Sequence, residues 1–169
     1  KRYSGSRHVY YEHGLKINYD KNFPNETKTK QLSIVYFFVV NGVIYKIGQS
    51  SGKSGIAGCI GFYLKSGQDD PGINRFTISW KIREELKKGN KVELYMISQP
   101  GFAIKVPGLF GLKEVVAVSP SKAMEQSCID DYKEKEEQYP KWNYQENSTP
   151  IEEDITKAFG QYKIDRKNK

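Results

Sequence analysis

The sequence predicts an α/β domain of the α+β type: a central three-stranded antiparallel sheet, flanking helices and an added β-hairpin insertion. Three observations predict it. Apolar β-formers flank Asn41-Gly42 in residues 34–50, IVYFFVVNGVIYKIGQS, the strongest short-range signal for a hairpin. Residues 91–97, KVELYMI, alternate apolar and polar, the period of a third strand. Helical spacing recurs over 56–65 and 74–88, and Ser119-Pro120 opens a third helix, so helices are available to cover the sheet.

The chain has 169 residues, which suits one domain able to bury a core without disulfides. Aromatic residues make up 13%, with 12 Tyr, consistent with an aromatic, β-rich core. Cys59 and Cys128 are the only cysteines and form no CxxC pair, so no disulfide framework is expected. With His8 and His13 as the only histidines, a His/Cys zinc site is disfavoured. No run of about 18 apolar residues occurs, so no membrane span is expected; a cytoplasmic protein is the default. Lys and Arg number 27 against 20 Asp and Glu, a net charge of +7. That balance favours a polyanionic partner, against the plainer reading of a soluble basic domain.

Residues 1–32 are polar, tyrosine-rich and lightly basic, with a short strand expected near Val9–Tyr11. Two readings stand for this arm: a DNA-contacting segment, or an ordinary extension packed through its tyrosines. Residues 34–40 and 43–47 form the hairpin. A three-residue loop with Gly42 in αL pairs Val39 with Val43 and Tyr36 with Lys46. It places Val35, Phe37, Val39, Val43, Tyr45 and Ile47 on one face, with Tyr36, Phe38, Ile44 and Lys46 on the other, and is the expected register. A two-residue loop pairs Val40 with Val43 and sends Tyr36 and Lys46 to opposite faces.

Residues 48–55, GQSSGKSG, invite a P-loop reading, but Ile47 stands five before Gly52 where that motif needs glycine. The segment instead connects into a short helix over 56–65 carrying Cys59 and Tyr63; the latter can reach toward Tyr36 and Lys46, with core packing the preferred reading. Residues 66–74 are a turn-rich loop. Asn74 is expected to cap a helix to about Lys88, with Arg75, Lys81 and Arg83 on its polar sides. These and Lys53 and Lys65 are candidate DNA contacts; a solvated surface helix is the equal alternative. Residues 99–118 contain two short strands around a Pro-Gly turn, a place for substrate specificity. Ser119 caps the last core helix, with Pro120 at its first position. Residues 139–150 read as a polar linker, and 151–162 as a short amphipathic helix. The domain plan is an arm, 1–32, a core, 33–138, with its insertion, and a C-terminal extension, 139–169.

VYFFVVNGVIYKIG resembles the paired signature of the GIY-YIG nucleases. Val35-Tyr36 stands where the first signature ends and Lys46-Ile47-Gly48 at the second. Lysine at that position is similar to the KIG-bearing branch of type II restriction endonucleases, in which K-x-x-E opens the later helix; here that segment is Lys122-Ala123-Met124-Glu125. The resemblance covers about residues 33–127. It implies a Mg²⁺- or Mn²⁺-dependent endonuclease acting on double-stranded DNA, with Tyr36 as general base, Lys46 as its partner and Glu125 as the sole protein ligand of the metal. The chemistry is coherent. Phosphodiester hydrolysis needs a deprotonated water, a group accepting charge on the leaving oxygen, and positive charge around the phosphate. A lysine facing a phenol favours phenolate, and one carboxylate suffices for Mg²⁺ that keeps its waters. Gln49 stands where the related branch carries histidine, and Gln126 follows the metal glutamate. Cutting both strands calls for two sites, hence a homodimer.

The family places an arginine on the helix after the second signature; Cys59 occupies that place here. Cysteine cannot make permanently charged, bidentate phosphate contacts. Three readings follow: Cys59 silences the nuclease, Arg75 or Lys65 takes over, or the chain is a catalytically impaired DNA-binding module.

Overall fold

The computed structural model describes residues 15–51, 55–64, 72–111 and 113–167. The expected strand near residue 10, and Lys53 and Lys65, lie outside them. Strands β1 (Ser33–Val40), β2 (Val43–Ser50) and β3 (Val92–Gln99) form an antiparallel sheet in the order β2-β1-β3. Helices α1 (Gly55–Leu64) and α2 (Ile73–Lys87) lie between β2 and β3 in sequence. A separate ribbon pairs β4 (Phe102–Pro107) with β5 (Lys113–Val118). Helices α3 (Ser121–Glu136), α4 (Tyr144–Asn147) and α5 (Glu153–Lys167) complete the chain.

β1 is apolar or aromatic from Ile34 to Val40, with helices packed on both of its faces. Ile34, Tyr36, Phe38 and Val40 meet Ile56, Ile60 and Tyr63 of α1 and Ile78 and Ile82 of α2. On the opposite face Val35 and Ile47 meet Ile129 of α3. Phe76 of α2 joins Ile155, Ala158 and Tyr162 of α5 in a second cluster. Leu15, Ile17 and Phe23 pack against the main cluster, so this stretch of the N-terminal segment rests on the domain. Asn74 does not cap α2: the helix begins one residue earlier, behind Gly72, with no side-chain cap.

The hairpin register departs from expectation. Asn41 and Gly42 both have positive φ, 48° and 85°, which builds a two-residue turn and pairs Val40 with Val43. A bulge then shifts the ladder between Phe38 and Val39, so that Phe38 opposes Lys46 and Tyr36 opposes Gly48. The two-residue turn alone would part Tyr36 from Lys46; the bulged residue returns them to one face, one pair out of step. Tyr45 is held at the bulge by Trp142, whose N–H donates to the Tyr45 carbonyl at 2.6 Å. Their rings meet edge-on, with centroids 5.1 Å apart.

That contact also corrects the linker expected at 139–150. Trp142 and Asn143 are buried and close the free edge of β2, where the Ile47 N–H donates to Asn143 Oδ1 at 2.9 Å. An edge strand covered in this way has no open ladder groups there. Asn143→Ala removes the acceptor and leaves a buried N–H unpaired, a cost of about 1–3 kcal/mol. Urea unfolding is expected to show a lower midpoint at an unchanged slope. An unchanged midpoint for Asn143→Ala would remove this role from the carboxamide.

Candidate active site

The site lies at the β2 side of the sheet, where β1, β2 and α1 converge. Tyr36 projects from β1 across the strand pair to Gly48. A Cβ built on Gly48 would stand 2.5 Å from both Cζ and Oη of Tyr36, so the glycine makes room for the ring. The Tyr36 hydroxyl is 2.7 Å from that of Tyr63 on α1, and either can donate. Phe38 packs edge-on against both rings, at 5.8 Å and 5.1 Å between centroids. Tyr63 is thus a site residue that the sequence reading assigned to packing. The signal was available: Tyr63 follows Cys59 by four residues and so shares the helix face on which the family arginine was expected.

Burial, followed by the neighbouring Tyr63, holds the Tyr36 phenol well above its ordinary range. Burial likewise raises Tyr63. Lys46 is half-buried; burial lowers its pKa against the opposing pull of Glu146 and Glu125. Burial raises the Glu125 carboxyl, and Lys46 acts against that shift. Lys46 therefore feels the charge of two carboxylates, Glu146 and Glu125. Glu146 went unnoticed in the sequence because only folding of the 139–150 segment onto β2 brings it there. The expected Tyr36–Lys46 pairing takes a different form: the two share a face diagonally, and Lys46 is not among the groups acting on the Tyr36 phenol.

The remaining candidates divide. Gln49 pairs with Val35, on the face of β2 opposite Gly48, and its Oε1 accepts from Ser121 Oγ at 2.8 Å; the structure does not bring it to Tyr36. Gln126 donates to Asp130 at 2.9 Å. Cys59 is half-buried, hydrogen-bonded to Ser50, and its thiol is raised by burial while Ser50 and Arg75 draw it down. Arg75 also acts on Tyr63. The helices explain this meeting. Ser79 of α2 donates to the Tyr63 carbonyl at 3.3 Å; Arg75 lies one turn before Ser79, and Cys59 one turn before Tyr63. An exposed arginine therefore stands beside the turn of α1 that lacks one. Lys81 is tied to Glu152 at 2.9 Å and Glu84 at 3.0 Å; partial burial opposes its charge, but the carboxylates outweigh that and raise its pKa. Arg83 donates to the Ser79 carbonyl and hydroxyl. Lys81 is thus engaged with two carboxylates and Arg83 with the preceding turn of its own helix.

Among the described residues no group of three or more His, Cys, Asp or Glu could hold a metal by itself. The donors present still fit Mg²⁺, which takes one or two carboxylates and completes its shell with water and phosphate: Glu125 is half-buried and favoured by any added positive charge.

No protein-family model and no curated protein sequence matches the chain. Among solved structures it is similar to a mutant form of EndoII of bacteriophage T4, with a TM-score of 0.44 and 21% identity, covering 71% of this chain and 84% of that chain. A likeness this distant assigns neither activity nor site residues. No described helix is long and apolar enough to cross a membrane.

Proposed function

We propose that the chain is a metal-dependent endonuclease of the GIY-YIG type that hydrolyses phosphodiester bonds of double-stranded DNA, as a type II restriction endonuclease does. The observation that carries this reading is the Tyr36–Tyr63 hydroxyl pair seated over Gly48, with Lys46, Glu125 and Arg75 around it. Tyr36 takes the proton of the attacking water. The Tyr63 hydroxyl, 2.7 Å away, fixes the position of the Tyr36 hydroxyl, while burial and Tyr63 together keep that phenol protonated until high pH. Lys46 supplies positive charge on the same face. Glu125 would hold the divalent cation, which when bound stabilises charge on the leaving oxygen and polarises the phosphate. Two such sites, and so a homodimer, serve cleavage of both strands.

Arg75 takes the part of the arginine that α1 lacks, reaching the scissile phosphate from the first turn of α2. Arg75→Ala is expected to slow cleavage about 10²-fold, the scale of one lost transition-state donor. Cys59→Arg in that background restores part of the rate, because it returns a guanidinium to the same neighbourhood. If Arg75→Ala changes nothing and Cys59→Arg accelerates the otherwise unaltered protein, Cys59 is a silencing residue and Arg75 has no such part.

The test of the whole reading is incubation of the purified chain with supercoiled plasmid and Mg²⁺ or Mn²⁺, with a chelator as control. Linear product that disappears with chelator supports the nuclease. Duplex binding with no cleavage under either metal favours the second reading, a DNA-binding module that has lost catalysis, for which Cys59 in place of arginine is the specific observation.

A further inference from the structure

A row of hydrogen-bonded side chains joins the start of β1, the end of β2 and the first turn of α3. Ser33 Oγ lies 2.8 Å from Ser119 Oγ. Ser119 Oγ donates to Ser121 Oγ at 3.0 Å, and Ser121 Oγ donates to Gln49 Oε1 at 2.8 Å. A hydroxyl has one proton to give. Ser119 gives its proton to Ser121, so Ser33 is the donor at the first link. The row therefore runs in one direction, from Ser33 to the Gln49 carboxamide, and each link polarises the next. Ser33 and Ser121 are buried, where water does not compete for these bonds.

The row meets α3 one turn before Glu125. Ser121, Glu125, Ile129 and Tyr132 recur at helical spacing and share one face of α3. β2 meets that face on both sides of Glu125. Ser121 bonds Gln49, Ile129 packs with Ile47, and the Tyr132 hydroxyl donates to the Ile44 carbonyl at 3.2 Å. Glu125 lies between Ser121 and Ile129, half-buried. The apolar contact of Ile129 has no preferred direction, whereas a hydrogen bond does. α3 begins behind Pro120 with no side-chain cap, so the Ser121 hydroxyl serves the sheet and not the helix's own first amides.

We infer that Ser121 and Gln49 are positioning residues for Glu125: they fix the height and rotation of the first turn of α3 against β2 and so present the Glu125 carboxylate to a divalent cation. This part for Ser121 and Gln49 stands on the nuclease reading of Glu125 as the carboxylate that holds the metal. One protein carboxylate must be well placed, because no second protein ligand corrects an error in its position. Gln49 acts from the face of β2 opposite Gly48, through the helix that carries the ligand.

Binding of Mn²⁺ to the full chain, read by loss of the free-ion signal in electron paramagnetic resonance, tests this without cleavage. Ser121→Ala and Gln49→Met each remove one end of the same bond. Each is expected to weaken Mn²⁺ binding about 10-fold, the lower end of the range for groups that orient a metal ligand, at unchanged far-UV circular dichroism. The double variant should lose no more than the worse single one, and additive losses would overturn the inference. Ser121→Thr, which keeps the hydroxyl, should bind Mn²⁺ as the unaltered chain does. A row that only satisfied buried hydroxyls would lower the urea midpoint and leave Mn²⁺ affinity unchanged. That result, with Glu125→Gln abolishing binding, overturns the inference and leaves the metal reading standing. Mn²⁺ binding that is absent from the unaltered chain, or that survives Glu125→Gln, overturns the part given to Glu125 and the inference with it.

Discussion

Tyr36→Phe is expected to lower the rate of duplex DNA cleavage by about 10²–10⁴-fold, the range of a lost general base, while leaving the fold in place. The ring still fills the space over Gly48 and still packs against Phe38; only the hydroxyl, 2.7 Å from that of Tyr63, is gone. Tyr63→Phe is the control. If Tyr63 only steadies Tyr36, its loss costs about 10-fold, the worth of about 1.4 kcal/mol in the barrier. Equal losses for the two variants would move the base to Tyr63 or make the pair act as a unit. The pH profile separates them further. Burial and Tyr63 raise the Tyr36 phenol, so its phenolate becomes more populated only as pH rises. Cleavage should climb with pH well into the alkaline range, and Tyr36→Phe should flatten that climb. A falling limb is expected where Lys46, whose pKa burial lowers, gives up its proton. A climb that persists in Tyr36→Phe would show that another group titrates.

The sheet was legible because each strand carries its own local signal. The Asn41-Gly42 turn and the alternation of Val92, Leu94 and Met96 are each decided within a few residues; the start of α3 was near but not exact, since the helix opens at Ser121 behind Pro120 and Ser119 does not cap it. The bulge was not legible, because it depends on Trp142, 97 positions beyond Tyr45, and that distance leaves no trace in the local pattern. The consequence is large, since bulge and turn together decide the register and hence which side chain stands opposite Tyr36. Gln49 illustrates the cost of one position: adjacent to Gly48, it points to the other face and bonds Ser121 instead. Tyr36, Lys46 and Glu125 could be chosen from residue type and spacing. Tyr63 and Arg75 were within reach of the sequence only as alternatives, through the spacing of Tyr63 to Cys59 and the want of an arginine on α1; Glu146 was not, because the 139–150 segment meets β2 only in three dimensions.

Gly48→Val is expected to be the most damaging single change in the site, with lower stability and cleavage reduced by at least about 10²-fold, the usual result of displacing a reacting group by about 1 Å. A mere Cβ would stand 2.5 Å from Cζ and Oη of Tyr36, a separation that real Cβ atoms do not tolerate. The ring cannot swing aside freely, because it is buried between Phe38 and Tyr63. Forcing extra carbons into such a place costs about 1–3 kcal/mol. Gly48→Ala should show the same effects in smaller measure. A double-mutant cycle isolates the cause. If the clash with Tyr36 is the whole defect, Gly48→Ala should destabilise the Tyr36→Leu protein much less than it destabilises the unaltered chain, since the shorter side chain vacates the space over the glycine. Strict additivity would place the need for glycine in the backbone of β2 instead. Gly48 is not among the residues of positive φ, so a conformational requirement has no support there. The smallest residue of the KIG triplet thus has a steric task set by the largest residue opposite it.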